Sequence, residues 1–183
     1  MIRAISLTDA SALCSIYNYY VANTPITFEV EAVSEDEMAG RMRETLSSFP
    51  WLVYEESGEV LGYAYASKWK GRCAYRYSAE STIYLRDGRT GRGIGYRLYA
   101  QLISELRKAG LHCVIGGIAL PNAASQRLHE KLGFKKVAHF EQVGWKFEKW
   151  IDVGYLQLIL TGDASGGDER GEAAVRKRQG VTG

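Results

Sequence analysis

Three glycines at alternate positions, Gly91, Gly93 and Gly95, separate two runs of different periodicity. Before them stands AYRYSAESTIYLR, rich in β-branched and aromatic residues. After them Leu98, Leu102, Ile103 and Leu106 recur on one helical face. Glycines at a strand-to-helix junction let backbone amides approach a ligand closely, and the helix N-terminus adds partial positive charge. With Arg89 and Arg92 beside them, they suit a pyrophosphate. The loop lacks the terminal Gly-Lys-Ser/Thr of a Walker loop. It reads G-x-G-x-G where a dinucleotide fingerprint reads G-x-G-x-x-G. For the loop alone, a plain glycine-rich turn stays equally open.

The flanking segments alternate in the same legible way. MIRAIS reads as a strand. Leu13, Ile16, Tyr17 and Tyr20 then mark a helix with Thr8 or Asp9 as N-cap. Ser34 and Glu37 form a capping box that opens a second helix over roughly 35–48. WLVYEES and EVLGYAYASKW are strands around Ser57-Gly58, and AYRYSAESTIYLR is a third, longer than average. The helix after the glycine loop stops at Gly110. LHCVIGGIAL is a strand, NAASQRLHEKL a short helix ended by Gly133, and FKKVAHFEQV and WIDVGYLQLIL the last two strands. The order β-α-α-β-β-β-α-β-α-β-β predicts an α+β fold, a mostly antiparallel sheet covered by helices. Trp145, Trp150, Tyr155, Leu156 and Leu158 read mostly as core.

Composition limits the function classes. The 183 residues suit one domain, and the balance of 23 Lys+Arg against 21 Asp+Glu argues against binding nucleic acid by charge. No long uncharged apolar run predicts a membrane span, and the N-terminus shows no apolar signal-peptide core. Cys14, Cys73 and Cys113 are odd in number and far apart, which suits a reducing cytosol. His112, His129 and His139 form no HExxH, so no metal is expected. Composition shifts at Thr161: residues 161–183 hold six glycines, four acids and four bases with no aromatic, Leu or Ile. The expectation is a domain over 1–160 and a mobile tail over 161–183, whose Arg176, Lys177 and Arg178 form a solvated end.

One charge sits oddly. Glu80, in Ser78-Ala-Glu-Ser-Thr82, lies within an apolar and aromatic strand. Flanked by Tyr75, Tyr77, Ile83 and Tyr84, it is expected to be partly desolvated, with a pKa raised toward that of a general base. The alternative is a carboxylate paired with Arg76 or Lys70. His129, on the short helix, has a neutral-range pKa suited to proton transfer, or is an exposed or capping histidine. Asn122 is placed to N-cap that helix. Lys70 and Arg72, beside Trp69 and Tyr75, suit a small acidic amino acid, or form a solvated basic loop. Phe28 walls a pocket or is core.

The element order, the loop Thr90-Gly91-Arg92-Gly93-Ile94-Gly95, the Leu120-Pro-Asn122 turn and the Arg127–Phe134 ending together resemble the GNAT superfamily of N-acetyltransferases. Thr90 departs from the superfamily's Gln or Arg at the first position of its acetyl-CoA loop. PWLVYEESGEVLGYAYASKWKGRCAY, YSAESTIYL, IALPNAASQRLHEKLGF and WIDVGYLQLIL are similar to the phosphinothricin and methionine sulfoximine acetyltransferases, over about residues 1–160. The resemblance implies transfer of acetyl from acetyl-CoA to the α-amino group of a small amino acid or analogue. It implies Glu80 as base and His129 as proton donor to the coenzyme sulfur. It implies a coenzyme site of Arg89, Gly91–Tyr96, Asn122 and the backbone of Ile83, Tyr84 and Leu85. It places Phe28, Trp69, Lys70, Arg72 and Tyr75 against the substrate, in a cytoplasmic homodimer. The rivals are an acetyltransferase for peptide or protein amines and a non-catalytic acyl-CoA-binding module, with a nucleotide-binding protein disfavoured by the loop spacing.

Overall fold

The computed structural model describes residues 1–160; the expected tail, including Arg176–Arg178, lies outside the described residues. Seven strands, β1 (Ile2–Ala4), β2 (Trp51–Glu56), β3 (Glu59–Lys68), β4 (Ser78–Leu85), β5 (Cys113–Leu120), β6 (Lys135–Lys146) and β7 (Lys149–Ile159), make one sheet in the order β1-β2-β3-β4-β5-β7-β6. Every neighbouring pair is antiparallel except β4–β5. Helices α1 (Ala10–Asn23) and α2 (Glu35–Leu46) cover one face, α3 (Ile94–Lys108) and α4 (Ala123–Lys131) the other. Each face has its own core. Leu13, Ile16, Met42 and Tyr63 fill the first, and Leu98, Tyr99, Leu102 and Leu106 the second.

Local chemistry accounts for most boundaries. Ser57 and Gly58 both have positive φ, 53° and 80°, the backbone of a tight hairpin turn between β2 and β3. Ser34 accepts from the Glu37 backbone N–H and caps α2, but the expected box is only half closed, because the Glu37 carboxylate turns to Arg41. At α1 Asp9 stands at the N-cap position as expected, but its side chain makes no capping bond to the helix. Ser6 caps the preceding 3-10 turn Leu7–Asp9, and the Asp9 carboxylate turns back to Ser6 N–H and the Arg3 guanidinium. That ion pair outcompetes a helix cap and holds the Asp9 carboxyl below its usual pKa.

Two expectations fail for want of a neighbour. The third strand does not run through AYRYSAESTIYLR, because Cys73–Tyr75 forms a 3-10 turn and β4 begins at Ser78. The β3 register reaches only Ala79 and the β5 register only Ser78, so residues before Tyr77 have no strand to pair with. Nor are Trp145 and Trp150 core: they are 54% and 60% exposed. Both lie on the β6–β7 hairpin, where β6 is the sheet edge; Leu156, further into the sheet, is buried as expected.

One register positions everything that follows. β4 and β5 pair only at Ser78–Cys113, Ala79–Val114 and Glu80–Ile115. Beyond that point β4 stays on β3 to Leu85, while β5 stays on β7 to Leu120. The sheet therefore forks at Glu80.

Candidate active site

The glycine loop lies at the wide end of that fork. Gly91 and Gly93 have φ of 78° and 73°, and Gly93 is the residue before α3. A β-carbon at either would meet nothing within 4 Å, so the left-handed backbone rather than crowding demands glycine there. Gly95 differs: its β-carbon would contact Leu85 and Leu128 at 3.4 and 3.5 Å, which lets α3 approach β4 and α4. These glycines, with Thr90, Tyr96 and Asn122, line a cavity of about 380 Å³ that runs along Ile83, Tyr84 and Leu85. The first N–H groups of α3 have no partner within the helix and carry its positive dipole end.

The loop's charges are arranged otherwise than expected. Arg92 Nη2 donates to both carboxylate oxygens of Glu56, at 2.8 and 3.1 Å, and Arg89 lies 3.8 Å from Glu59. Neither lines the cavity, because the β2–β3 carboxylates draw both away from it. The Ile94 side chain is buried in the core. Tyr96 lines the cavity with the Lys131 ammonium 4.8 Å over its ring.

A smaller cavity of about 100 Å³ continues into the fork, sharing Ile83, Tyr84, Asn122 and Ser125 with the larger one. Glu80 and His129 both line it. Burial raises the Glu80 pKa, and Lys70 opposes this in part. Among the described residues nothing forms a hydrogen bond or ion pair with the Glu80 carboxylate. Lys70 acts only through space, and Arg76 lies over the Tyr77 ring at 4.6 Å. Of the expected neighbours, Ile83 and Tyr84 line the cavity with Glu80. Tyr65, Tyr99 and Tyr155, from neighbouring elements, are the tyrosines that feel the Glu80 charge.

His129 is neither exposed nor a cap; it is 3% exposed, its ring against Tyr99 and Phe134. Its Nδ1 lies 2.8 Å from the Ser125 carbonyl oxygen, which can only accept, so Nδ1 carries the proton. Nε2 is then the acceptor, and the Tyr99 hydroxyl 3.0 Å away donates to it. Ser81 Oγ lies 2.6 Å from the Tyr99 hydroxyl and 3.2 Å from the Ile115 carbonyl oxygen, and its single proton is shared between these two acceptors. Burial lowers the His129 pKa and keeps the ring neutral. The cap of α4 is Asn122, whose Oδ1 accepts from Ser125 N–H at 3.0 Å while the residue lines both cavities.

Of the substrate-side candidates, Trp69 meets Tyr155 edge-on at 5.6 Å, with the Lys70 ammonium 4.7 Å over its own ring. Phe28 is not core: it is 42% exposed and lies over Gly144, where a β-carbon would be 2.5 Å from its Cζ. Next to it the buried Lys146 ammonium donates to Thr27 O at 2.9 Å, joining the β6–β7 hairpin to the loop after α1. Arg72 and Tyr75 lie on the exposed turn before β4, and no contact joins either to Glu80 among the described residues.

Sequence reasoning missed Ser81, Tyr99, Ser125 and the glycine pair of β5. Tyr99 sits among the apolar residues of α3 and reads as core. Gly116 was detectable, since glycine inside a strand marks close approach of another group. A β-carbon there would lie 2.5 Å from His129 Nε2. No cluster of three or more metal-ligating side chains occurs among the described residues. No helix among them is long and apolar enough to cross a membrane.

Residues 2–154 match the family model described as Acetyltransferase (GNAT) domain. The chain is 38% identical over 160 residues to the L-methionine sulfoximine/L-methionine sulfone acetyltransferase of Salmonella typhimurium, covering 87% of this chain and 94% of that protein. It superposes on the crystal structure of a GNAT superfamily phosphinothricin acetyltransferase from Sinorhizobium meliloti, in complex with AcCoA. The TM-score is 0.86 at 33% identity, covering 92% and 93% of the two chains. It also superposes on a ribosomal-protein-alanine N-acetyltransferase from Brucella melitensis, with TM-score 0.85 and 36% identity over 87% and 99% of the chains.

Proposed function

The chain belongs to the GNAT acetyltransferase family, and on that premise we propose that it transfers acetyl from acetyl-CoA to the α-amino group of a small amino acid or analogue. The phosphinothricin or methionine sulfoximine type is the acceptor class that its relatives' activities support. One observation carries the reading: Glu80 is a desolvated carboxylate without a partner among the described residues, at the point where β4 and β5 part. A half-buried charge left unpaired costs stability and is seldom kept for stability alone.

In this reading the cavity along the glycine loop takes the coenzyme, its pyrophosphate at the α3 N-terminus. Asn122 and the backbone of residues 83–85 face the pantetheine arm, and a backbone N–H of that segment stabilises the oxyanion. Glu80 takes one proton from the α-ammonium group, and the freed amine attacks the thioester carbonyl. As the C–S bond breaks, the second proton leaving nitrogen balances the thiolate. His129 then differs from the expected proton donor. With Nε2 accepting, it anchors the hydroxyl chain Tyr99–Ser81 beside the reacting centre. Lys70 and Trp69 meet the acceptor's carboxylate and chain. Arg72, Tyr75 and Phe28 stand further out and act only if their loops approach.

The exposed Val137, Phe140, Val143, Trp145, Phe147 and Trp150 support a homodimer joined through the β6–β7 hairpin. The free Cys14, Cys73 and Cys113 support a cytoplasmic setting. Likeness to a ribosomal-protein-alanine acetyltransferase favours peptide amines as the second reading. A coenzyme-release assay with acetyl-CoA over amino acids, their analogues, their amides and short peptides decides. Preference for free amino acids supports the first reading. Equal rates for amides and free acids support the second. Acetyl-CoA binding without release under any acceptor would leave only a binding module.

A further inference from the structure

The adjacent glycines of β5 open the sheet on both faces at one level. Gly116 faces α3 and α4 and makes room for the His129 ring. Gly117 faces the other way, and it is exposed although its strand neighbours are buried. A β-carbon there would lie 3.2 Å from Tyr155 Cε1 and 3.5 Å from Glu80 Oε1. Its φ is not positive, so its backbone conformation does not demand glycine. What its missing side chain supplies is space, open to solvent and next to the unpaired carboxylate. An aromatic row bounds that space: Trp69 and Phe140 each meet the Tyr155 ring edge-on, at 5.6 and 5.7 Å. The Lys70 ammonium stands over Trp69, and its charge acts on Glu80.

We infer that Gly117 sets the size of the acceptor. The gap between Glu80 and Tyr155 holds the acceptor's side chain beyond its β-carbon, the part that alanine lacks. The fitting class is an α-amino acid with an extended side chain, laid along Tyr155 and Trp69, its carboxylate toward Lys70. A side chain at position 117 occupies that gap and disfavours long acceptors over short ones. This inference rests on the acetyl-transfer reading above.

The test compares kcat/KM for L-methionine sulfone and for L-alanine in the native chain, Gly117→Ala and Gly117→Val. The native chain should favour the longer acceptor. Filling a pocket by one to three carbons shifts discrimination by roughly tenfold to a hundredfold, so the ratio should fall by about ten in Gly117→Ala and more in Gly117→Val. Thermal unfolding checks that each variant folds, and the smaller substitution suffices if the larger one does not. An unchanged ratio overturns the inference, even if both rates fall together. Activity of the native chain with an unchanged ratio overturns this inference alone. A native chain that binds acetyl-CoA but acetylates neither amino acid, nor any other amine, overturns the acetyl-transfer reading, and this one falls with it.

Discussion

The hydroxyl of Tyr99 and Nε2 of His129 lie 3.0 Å apart inside the core, and the tautomer of one fixes the role of the other. Nδ1–H is committed to Ser125 O, so Tyr99 must donate. Tyr99→Phe leaves a buried acceptor without its donor. The expected loss of stability is about 1–3 kcal/mol, measured by urea unfolding near pH 7.5. kcat should fall while KM for acetyl-CoA changes little. An unaltered kcat would show that the hydroxyl chain is structural only.

His129 also fixes an acid limb of stability. Its folded-state pKa lies below the ordinary histidine value, with burial as the main cause. The unfolded chain therefore binds the proton more readily. Stability contributed by the neutral ring is present above about pH 6.5 and is lost as pH falls toward the lower folded value. Unfolding midpoints from pH 8 to pH 5 should drop more steeply in the native chain than in His129→Gln, and equal slopes would contradict this.

Glu80 obeys the opposite sign. Burial raises its folded pKa, so its contribution is full below the usual glutamate range and is lost as pH rises through the raised value. Glu80→Gln should thus be more stable than the native chain at neutral pH, with the difference vanishing toward pH 4. The same substitution should lower kcat by about a hundredfold, the scale of a positioned general base. The loss should shrink at high pH, where the free amine needs no help. A variant with full kcat/KM across about pH 6–9 would remove Glu80 from the chemistry.

Gly93 is held left-handed, with φ 73° and ψ 4°, and no atom crowds its missing side chain. Gly93→Ala should cost about 1–2 kcal/mol of stability from backbone strain. It should also weaken acetyl-CoA binding, read by calorimetry, because relaxing the strain swings the α3 amides away from their common point. Unchanged affinity in a folded variant would move the pyrophosphate site elsewhere.

Trp145 and Trp150 touch at 4.9 Å between ring centres and are more than half exposed. If the hairpin is the subunit contact, Trp150→Glu should convert a dimer to a monomer in sedimentation at micromolar concentration. The far-ultraviolet circular dichroism should stay native. A variant that stays dimeric would place the contact on another face.

Periodicity and turn chemistry in the sequence determined the element order and the glycine loop. The apolar runs of β2, β3 and β5, the Ser34 cap and the demand for glycine at 91 and 93 are local effects that neighbours along the chain impose. Glu80 stood out for the same reason, as a charge in an apolar strand. Tertiary structure decided the rest, because it depends on groups distant in sequence. Ser78 starts β4 because β3 and β5 offer no earlier partner. Arg89 and Arg92 leave the coenzyme cavity because Glu59 and Glu56, on another turn, hold them. His129 becomes a neutral acceptor because α3 brings Tyr99 to its ring and Gly116 lets that ring lie against β5. The space beside Glu80 exists because β5 places a glycine there, a relation set by sheet register and invisible along the chain.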